Sequence, residues 1–256
     1  MSPERQARAE RLGPYFEVQL RLARRMAELT GQPLGEMVLN HTNIHRRLGL
    51  GVWRDGPPAD GWASYAAKLE ALGDLAAQVA STIEAYRDAP PEVSPHPGQF
   101  GFGCFAHEPP AEDGVVRIHF NNLDTDSEGG PLARGKIGRR QDELTRLFAH
   151  VAETCPPDTP IRGGSWLYHV EAYRRLFPPA YVASRGPYTR PIRLRGTATW
   201  GQVIDSHERI RPEVCETVVA NLADLDPAAP WRIFPFQMLA VEAPLSVFLA
   251  FYGLDA

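Results

Sequence analysis

The run DAPPEVSPHPG, residues 88–98, places four prolines in eleven positions. Each proline fixes its own φ, removes a backbone donor and pushes the residue before it toward extended backbone, so neither a helix nor a central strand crosses this run. A boundary is expected there, and the hydrophobic period changes across it. Before it the chain reads as helical. YFEVQLRLARRMAELTG (15–31) repeats Val18, Leu22, Met26 and Leu29 at helical spacing and stops on Gly31. QPLGEMVLNHTNIHRRLG (32–49) reads as a second helix with Leu34, Met37, Val38, Ile44 and Leu48 on one stripe, and residues 62–86 as a third, with Leu69, Leu72, Ala76, Val79 and Ile83.

Beyond the prolines the period is two. GQFGFGCF (98–105) and VVRIHFN (115–121) read as paired strands joined by the polar loop HEPPAEDG. KIGRRQDELTRLFAHVAE (136–153) is an amphipathic helix, IRGGSW (161–166) a short strand, and HVEAYRRLF (169–177) a short helix stopped by Pro178 and Pro179. PIRLRGTATW (191–200) alternates like a strand, and Pro212 opens a helix through Val214, Val218 and Leu222. In IFPFQMLAVEAPLSVFLAFYGL (233–254), Glu242 and two prolines break the apolar run, which implies a buried strand and a short core helix instead of a membrane span. The order predicts an α+β (α/β-like) fold: one mixed, mainly antiparallel sheet flanked by helices, with a helical N-terminal layer. Residues 1–88 form the helical region and 98–256 the mixed domain, packed together as one compact unit.

Composition narrows the function classes. With 256 residues and a net charge of −4, bulk charge does not suit a nucleic-acid or membrane surface. The expected partner is a small-molecule substrate, and a homodimer is compatible. Cys104, Cys155 and Cys215 are isolated, so neither a disulfide framework nor a structural zinc site is expected, and a reducing cytoplasm is the default compartment. The N-terminus MSPERQARAERLG is too charged for a signal peptide. Two of the 27 basic residues are lysines, Lys68 and Lys136. A GC-rich bacterial coding sequence would give the same excess of arginine, which is the better bidentate partner for carboxylate or phosphate.

Several residues carry candidate chemistry. His119 stands between Arg117 and Asn121 on the polar face of its strand, where an imidazole can serve as a general base. His41 and His45 lie four apart on the second helix, with Glu36 one turn upstream, a spacing that suits metal ligands although the HExxH order is absent. PLARGKIGRR (131–140) precedes a helix, whose N-terminal amides bind anions. DTDSE (124–128) reads as a solvated turn, and Cys104 as core. RGGSWLYHVEAYRRLFPPAYV (162–182) reads as a cavity edge with His169 and Tyr173 at its rim.

In the order strand VVRIHFNN, basic glycine loop LARGKIGRR, helix DELTRLFAHVAE, strand IRGGSW and helix HVEAYRRLFPPAYV, residues 115–185 resemble the core of the GNAT N-acyltransferase superfamily. The loop lies one residue out of register with the family's Arg/Gln-x-x-Gly-x-Gly/Ala. His169 stands where the family commonly has Asn, with Leu176 in place of Tyr. The resemblance implies an acyl-CoA cofactor whose pyrophosphate is held by Arg134, Gly135, Lys136, Gly138 and Arg139. It implies His119 as the base toward an acceptor amine, Tyr168 or Tyr173 as the acid toward the leaving thiolate, and His169 beside them. Arg117, Asn121, Trp166 and Phe102 would wall the substrate pocket, and no metal is required. Two other readings stand beside it. One is a metal-dependent enzyme built on His41, His45, His119 and His169, with Glu36 or Glu171. The other is a binding protein that docks through residues 166–181.

Overall fold

The computed structural model describes residues 3–51, 58–90, 98–189 and 192–255, so most of the proline run lies outside the described residues. The helical period of the first third is realised as α1 (Pro3–Arg11), α2 (Gly13–Thr30), α3 (Leu34–His41), α4 (Ile44–Arg47), α5 (Trp62–Ala71) and α6 (Leu75–Asp88). After the prolines come β1 (Phe100–Phe102), β2 (Phe105–His107), β3 (Val116–Phe120), α7 (Ile137–Ala152), β4 (Pro160–Ser165), α8 (Glu171–Arg174), α9 (Pro179–Ala183) and β5 (Gly186–Pro187). The chain ends with α10 (Thr197–Trp200), α11 (Pro212–Asn221), β6 (Leu239–Pro244) and α12 (Leu245–Tyr252). None of the described helices is long and apolar enough to cross a membrane. The elements group into two compact units, Met1–Val93 with Pro191–Pro235, and Ser94–Arg190 with Phe236–Ala256. The linear division at the proline run therefore misses that residues 191–235 return to the helical unit.

In the helical unit α2 is buried on most of its circumference, from Tyr15 and Phe16 to Met26, and packs against α3 and α6. Leu29, expected on its stripe, is exposed. The expected second helix is broken. Thr42 is extended, and its hydroxyl donates to the Val38 carbonyl at 2.6 Å, the local competition that β-branched hydroxyl residues offer a helix. The buried Asn43 amide N–H then donates to Gln19 Oε1 at 2.9 Å, and its side chain donates to the Tyr15 hydroxyl at 2.9 Å. The expected third helix also splits, because Asp74 caps a new start: its carboxylate accepts the Ala76 N–H at 2.8 Å. Among the described residues, 192–200 are not a strand. Leu194 and Trp200 are both buried, and the indole N–H donates to the Leu194 carbonyl at 3.0 Å, which folds the segment into a turn and the short α10.

The second unit holds one open sheet in the order β1-β2-β3-β4-β6-β5. Only the β3–β4 pair is parallel; the other pairings are antiparallel, so the sheet is mixed and mainly antiparallel. GQFGFGCF is a hairpin, not one strand: β1 turns at Gly103, whose φ of 65° favours glycine, into β2. Val116, Ile118, Ile161 and Val241 bury one face of the sheet with α7 residues Leu144, Leu147 and Phe148 and α12 residues Leu245 and Phe248. Phe148 and Phe248 stack at 4.3 Å. HVEAYRRLF splits into a 3-10 turn over Trp166–His169, capped by the Ser165 hydroxyl, and the short α8.

One ion cluster in the helical unit gives a pH-dependent test. Glu208 adopts φ 60°, unusual for a side chain other than glycine, and is held there by Arg8 at 2.5 Å and by the buried Arg47 at 3.0 Å. Burial alone would raise its carboxyl; the two guanidiniums outweigh burial and hold it at about 2, below its ordinary 4.5. Stability from this contact is complete above pH 4.5 and is lost as pH falls toward 2, about 3 kcal/mol in all for a group only 18% exposed. Replacing Glu208→Gln also removes the carboxylate that the buried Arg47 contacts. Urea unfolding across pH should show the wild-type advantage over Glu208→Gln at pH 7 shrinking between pH 4.5 and 2; a constant gap contradicts the assignment.

Candidate active site

β3 and β4 pair only at Val116↔Ile161 and Arg117↔Arg162. Beyond those residues each strand follows its antiparallel neighbour, β3 alongside β2 as far as Phe120 and β4 alongside β6 as far as Ser165. A cavity of about 110 Å³ opens between their carboxyl halves, lined by Arg117, Ile118, His119, Arg162, Gly163, Gly164 and Tyr188. Two glycines thin its wall for different reasons. A Cβ at Gly163 would run into the Tyr168 and Tyr181 hydroxyls, and a Cβ at Gly164 would lie 2.8 Å from the Tyr188 ring.

Arg117, His119, Arg162 and Gly164 share the sheet face opposite the buried one, as strand alternation requires. Each cation there meets a carboxylate. Arg117 contacts Asp113 at 2.5 Å, and Arg162 contacts Glu242 at 2.5 Å and Asp113 at 3.9 Å. His119 Nε2 lies 3.1 Å from Glu108 Oε1, close enough for an ion pair but outside hydrogen-bond geometry. A protonated His119 would therefore face an anion, the arrangement that stabilises an imidazolium after it has taken a proton.

The other expected site residues lie elsewhere. Tyr168 and Tyr173 are buried, their ring centres 5.2 Å apart, and the Tyr168 and Tyr181 hydroxyls are 3.0 Å apart on the core side of Gly163. Burial first, and the neighbouring phenols after it, push both well above the ordinary value of 10, so neither suits the acid role. His169 is exposed, with Nε2 3.0 Å from the Gln237 carbonyl and its ring beside Phe236. Trp166 stacks on the same Phe236. Phe102 contacts His107 and His150, and Asn121 follows the end of β3, its amide bonded to the Cys104 carbonyl at 2.7 Å. None of the six lines the cavity. Within residues 166–181 the aromatic side chains Trp166, Tyr168, Tyr173, Phe177 and Tyr181 are buried, while His169, Glu171 and Arg175 are exposed.

The expected anion loop is largely neutralised from within. Lys136 is buried, and its ammonium donates to the Asp124 carbonyl at 2.9 Å and the Gly129 carbonyl at 3.1 Å, with Asp126 at 3.0 Å. Arg139 and the buried Arg140 reach Asp124 at 2.8 and 2.9 Å. The segment DTDSE is a largely exposed turn, as expected, and its Asp124 and Asp126 also supply counter-charge, so Lys136 has no free donor face for a phosphate. Arg134, Gly135 and Gly138 remain exposed, and nothing lies within 4 Å of where a Cβ at either glycine would be.

The break at Thr42 removes the shared helix face of His41 and His45: the first ends α3 and the second sits in α4. Burial, helped by Arg195, lowers both below their ordinary value of 6.5, and His45, which Arg46 lowers as well, stands at about 4. Glu36 is exposed. Among the described residues no three His, Cys, Asp or Glu side chains group to hold a metal ion. Glu108, Asp113, Arg162 and Tyr188 escaped the sequence reading. Alternation around Ile161 exposes Arg162 in principle, but only the strand register brings in Glu108 and Tyr188.

Comparison with family models, with curated proteins and with solved structures gives no match for the chain.

The two glycines provide the test of this wall. Gly163→Ala forces a methyl against buried phenols, whereas Gly164→Ala meets a half-exposed ring that can swing aside. Urea unfolding should place the loss for Gly163→Ala at about 2 kcal/mol or more, with a smaller loss for Gly164→Ala. The reverse order contradicts the wall as described.

Proposed function

We propose that the sheet unit is an acyl-transfer domain of the GNAT kind, which binds an acyl-CoA near the end of β3 and transfers the acyl group to a small-molecule amine. The observation that carries the reading is the cleft between β3 and β4. Ligands in open sheets with parallel strands bind beyond the carboxyl ends, where neighbouring strands part. The resemblance rests on an order of strand, basic loop, helix, strand and helix, and β3, the Arg134–Lys136 turn, α7, β4 and α8 follow that order with β3 and β4 as parallel neighbours. The loop after β3 leads straight to the first turn of α7.

His119 is the base in this reading. The ring accepts the acceptor's proton, and Glu108, 3.1 Å from His119 Nε2, then offsets the imidazolium charge. Arg117 and Arg162 frame the cleft, and the Tyr188 ring closes it at Gly164. Arg134 and the open backbone at Gly135 and Gly138 take the pyrophosphate, without Lys136. The amine nitrogen bonds to the thioester carbon as the C–S bond breaks, and the coenzyme leaves as its thiolate, which takes a proton from solvent; the chain supplies orientation and the proton acceptor.

Calorimetric titration of the full chain with acetyl-CoA tests the reading. Saturable binding below millimolar ligand is expected, weakened by Arg134→Glu. Binding should survive in His119→Ala, while transfer to amine acceptors falls about 100-fold or more. No saturable binding at millimolar acetyl-CoA overturns the proposal.

A further inference from the structure

On the helix-covered face of the sheet, away from His119, two other histidines meet. His107, in β2, is 4% exposed and pairs in register with Ile118 on the buried side. His150 comes from α7, and the ring centres are 5.3 Å apart with planes inclined at 52°. His107 Nδ1 is 3.1 Å from the Glu108 carbonyl. A carbonyl only accepts, so Nδ1 carries the proton and the lone pair is on Nε2. That Nε2 is buried and has no hydrogen-bond partner. His150 repeats the pattern: its Nδ1 is 3.3 Å from the Glu153 carboxylate, leaving its own Nε2 as the free nitrogen.

An imidazole whose Nδ1–H is anchored on a carbonyl or carboxylate is the form that binds a metal through Nε2. The separation also fits. A metal–nitrogen bond of about 2.1 Å plus about 1.2 Å to the ring centre, opened at a tetrahedral angle, puts two ring centres about 5.3 Å apart. From this geometry we propose that His107 and His150 form a two-histidine clip for a late first-row divalent ion, Zn²⁺ or Cu²⁺. Water or an external ligand fills the remaining positions.

The surroundings suit a bound ion. Phe100 and Phe102 pack on both imidazoles at 4.9 to 6.0 Å and give the clip an apolar wall. Phe100 is 47% exposed, so the clip lies near solvent at the β1 edge. Two imidazoles without thiolate or an inner carboxylate suit zinc or copper better than magnesium or calcium. The clip stands independently of the acyl-transfer reading.

The test is titration of the untagged, chelator-stripped full chain with Zn²⁺ and Cu²⁺ by calorimetry, with Co²⁺ absorption as an optical probe of the ligand field. One equivalent should bind. His150→Gln, at a side chain one-third exposed on the helix surface, should weaken binding about 100-fold, and Glu153→Gln about tenfold. His169→Gln, outside the cluster, should leave affinity unchanged. Absence of stoichiometric binding of either ion, or binding that survives His150→Gln in a folded protein, overturns the clip.

Discussion

The candidate site depends on a competition between strand neighbours. β3 and β4 are adjacent and parallel, yet each is claimed along its carboxyl half by an antiparallel partner whose direction diverges from the other's. Antiparallel pairing is slightly the more stable per residue and twists each ribbon, so the two parallel strands separate after two residue pairs. Gly163 and Gly164 sit in that gap because phenols approach from one side and the Tyr188 ring from the other, leaving no room for a Cβ. The cavity, its polar face and its aromatic wall all follow from that separation.

Charge is distributed on the same principle of local compensation. Arg140 is 1% exposed and is balanced by Asp124 and Glu143. Glu143 in turn accepts the Cys104 N–H at 3.0 Å and occupies the space a side chain at Gly103 would need. One carboxylate thus ties the β1–β2 turn to α7. A buried cation stripped of its partner costs several kcal/mol, so these acidic groups are committed to the fold. The same commitment removes Lys136 from any phosphate contact and leaves Arg134 exposed, with Arg139 exposed but paired to Asp124. On the polar sheet face the carboxylates are more open, and Glu108 stands beside His119 with part of its surface in water.

Much of the architecture was readable from periodicity. α2, α7, α11 and α12 follow their apolar spacing, and β3, β4 and β6 follow alternation, because burial on one face leaves a local signature. The misreadings have local causes as well. Thr42 and Asp74 interrupt helices through side-chain hydrogen bonds that leave the apolar stripe intact on either side. PIRLRGTATW alternates like a strand, but the buried Leu194 and Trp200 close a turn through the Trp200 indole. His119 was legible as a polar residue facing away from the core. Its partner Glu108 was not, since nothing in HEPPAEDG says which loop carboxylate the register will bring to it. Tyr168 and Tyr173 are buried and His169 is exposed outside the cleft, because a 3-10 turn over Trp166–His169 precedes the short α8.

Mapping where a ligand lands tests the account most directly. In a ¹H–¹⁵N spectrum of the full chain titrated with acetyl-CoA, the account predicts shifts concentrated at residues 117–119, 162–164 and 188 and at the first turn of α7. Shifts that spare the β3–β4 cleft while the ligand binds elsewhere would contradict it.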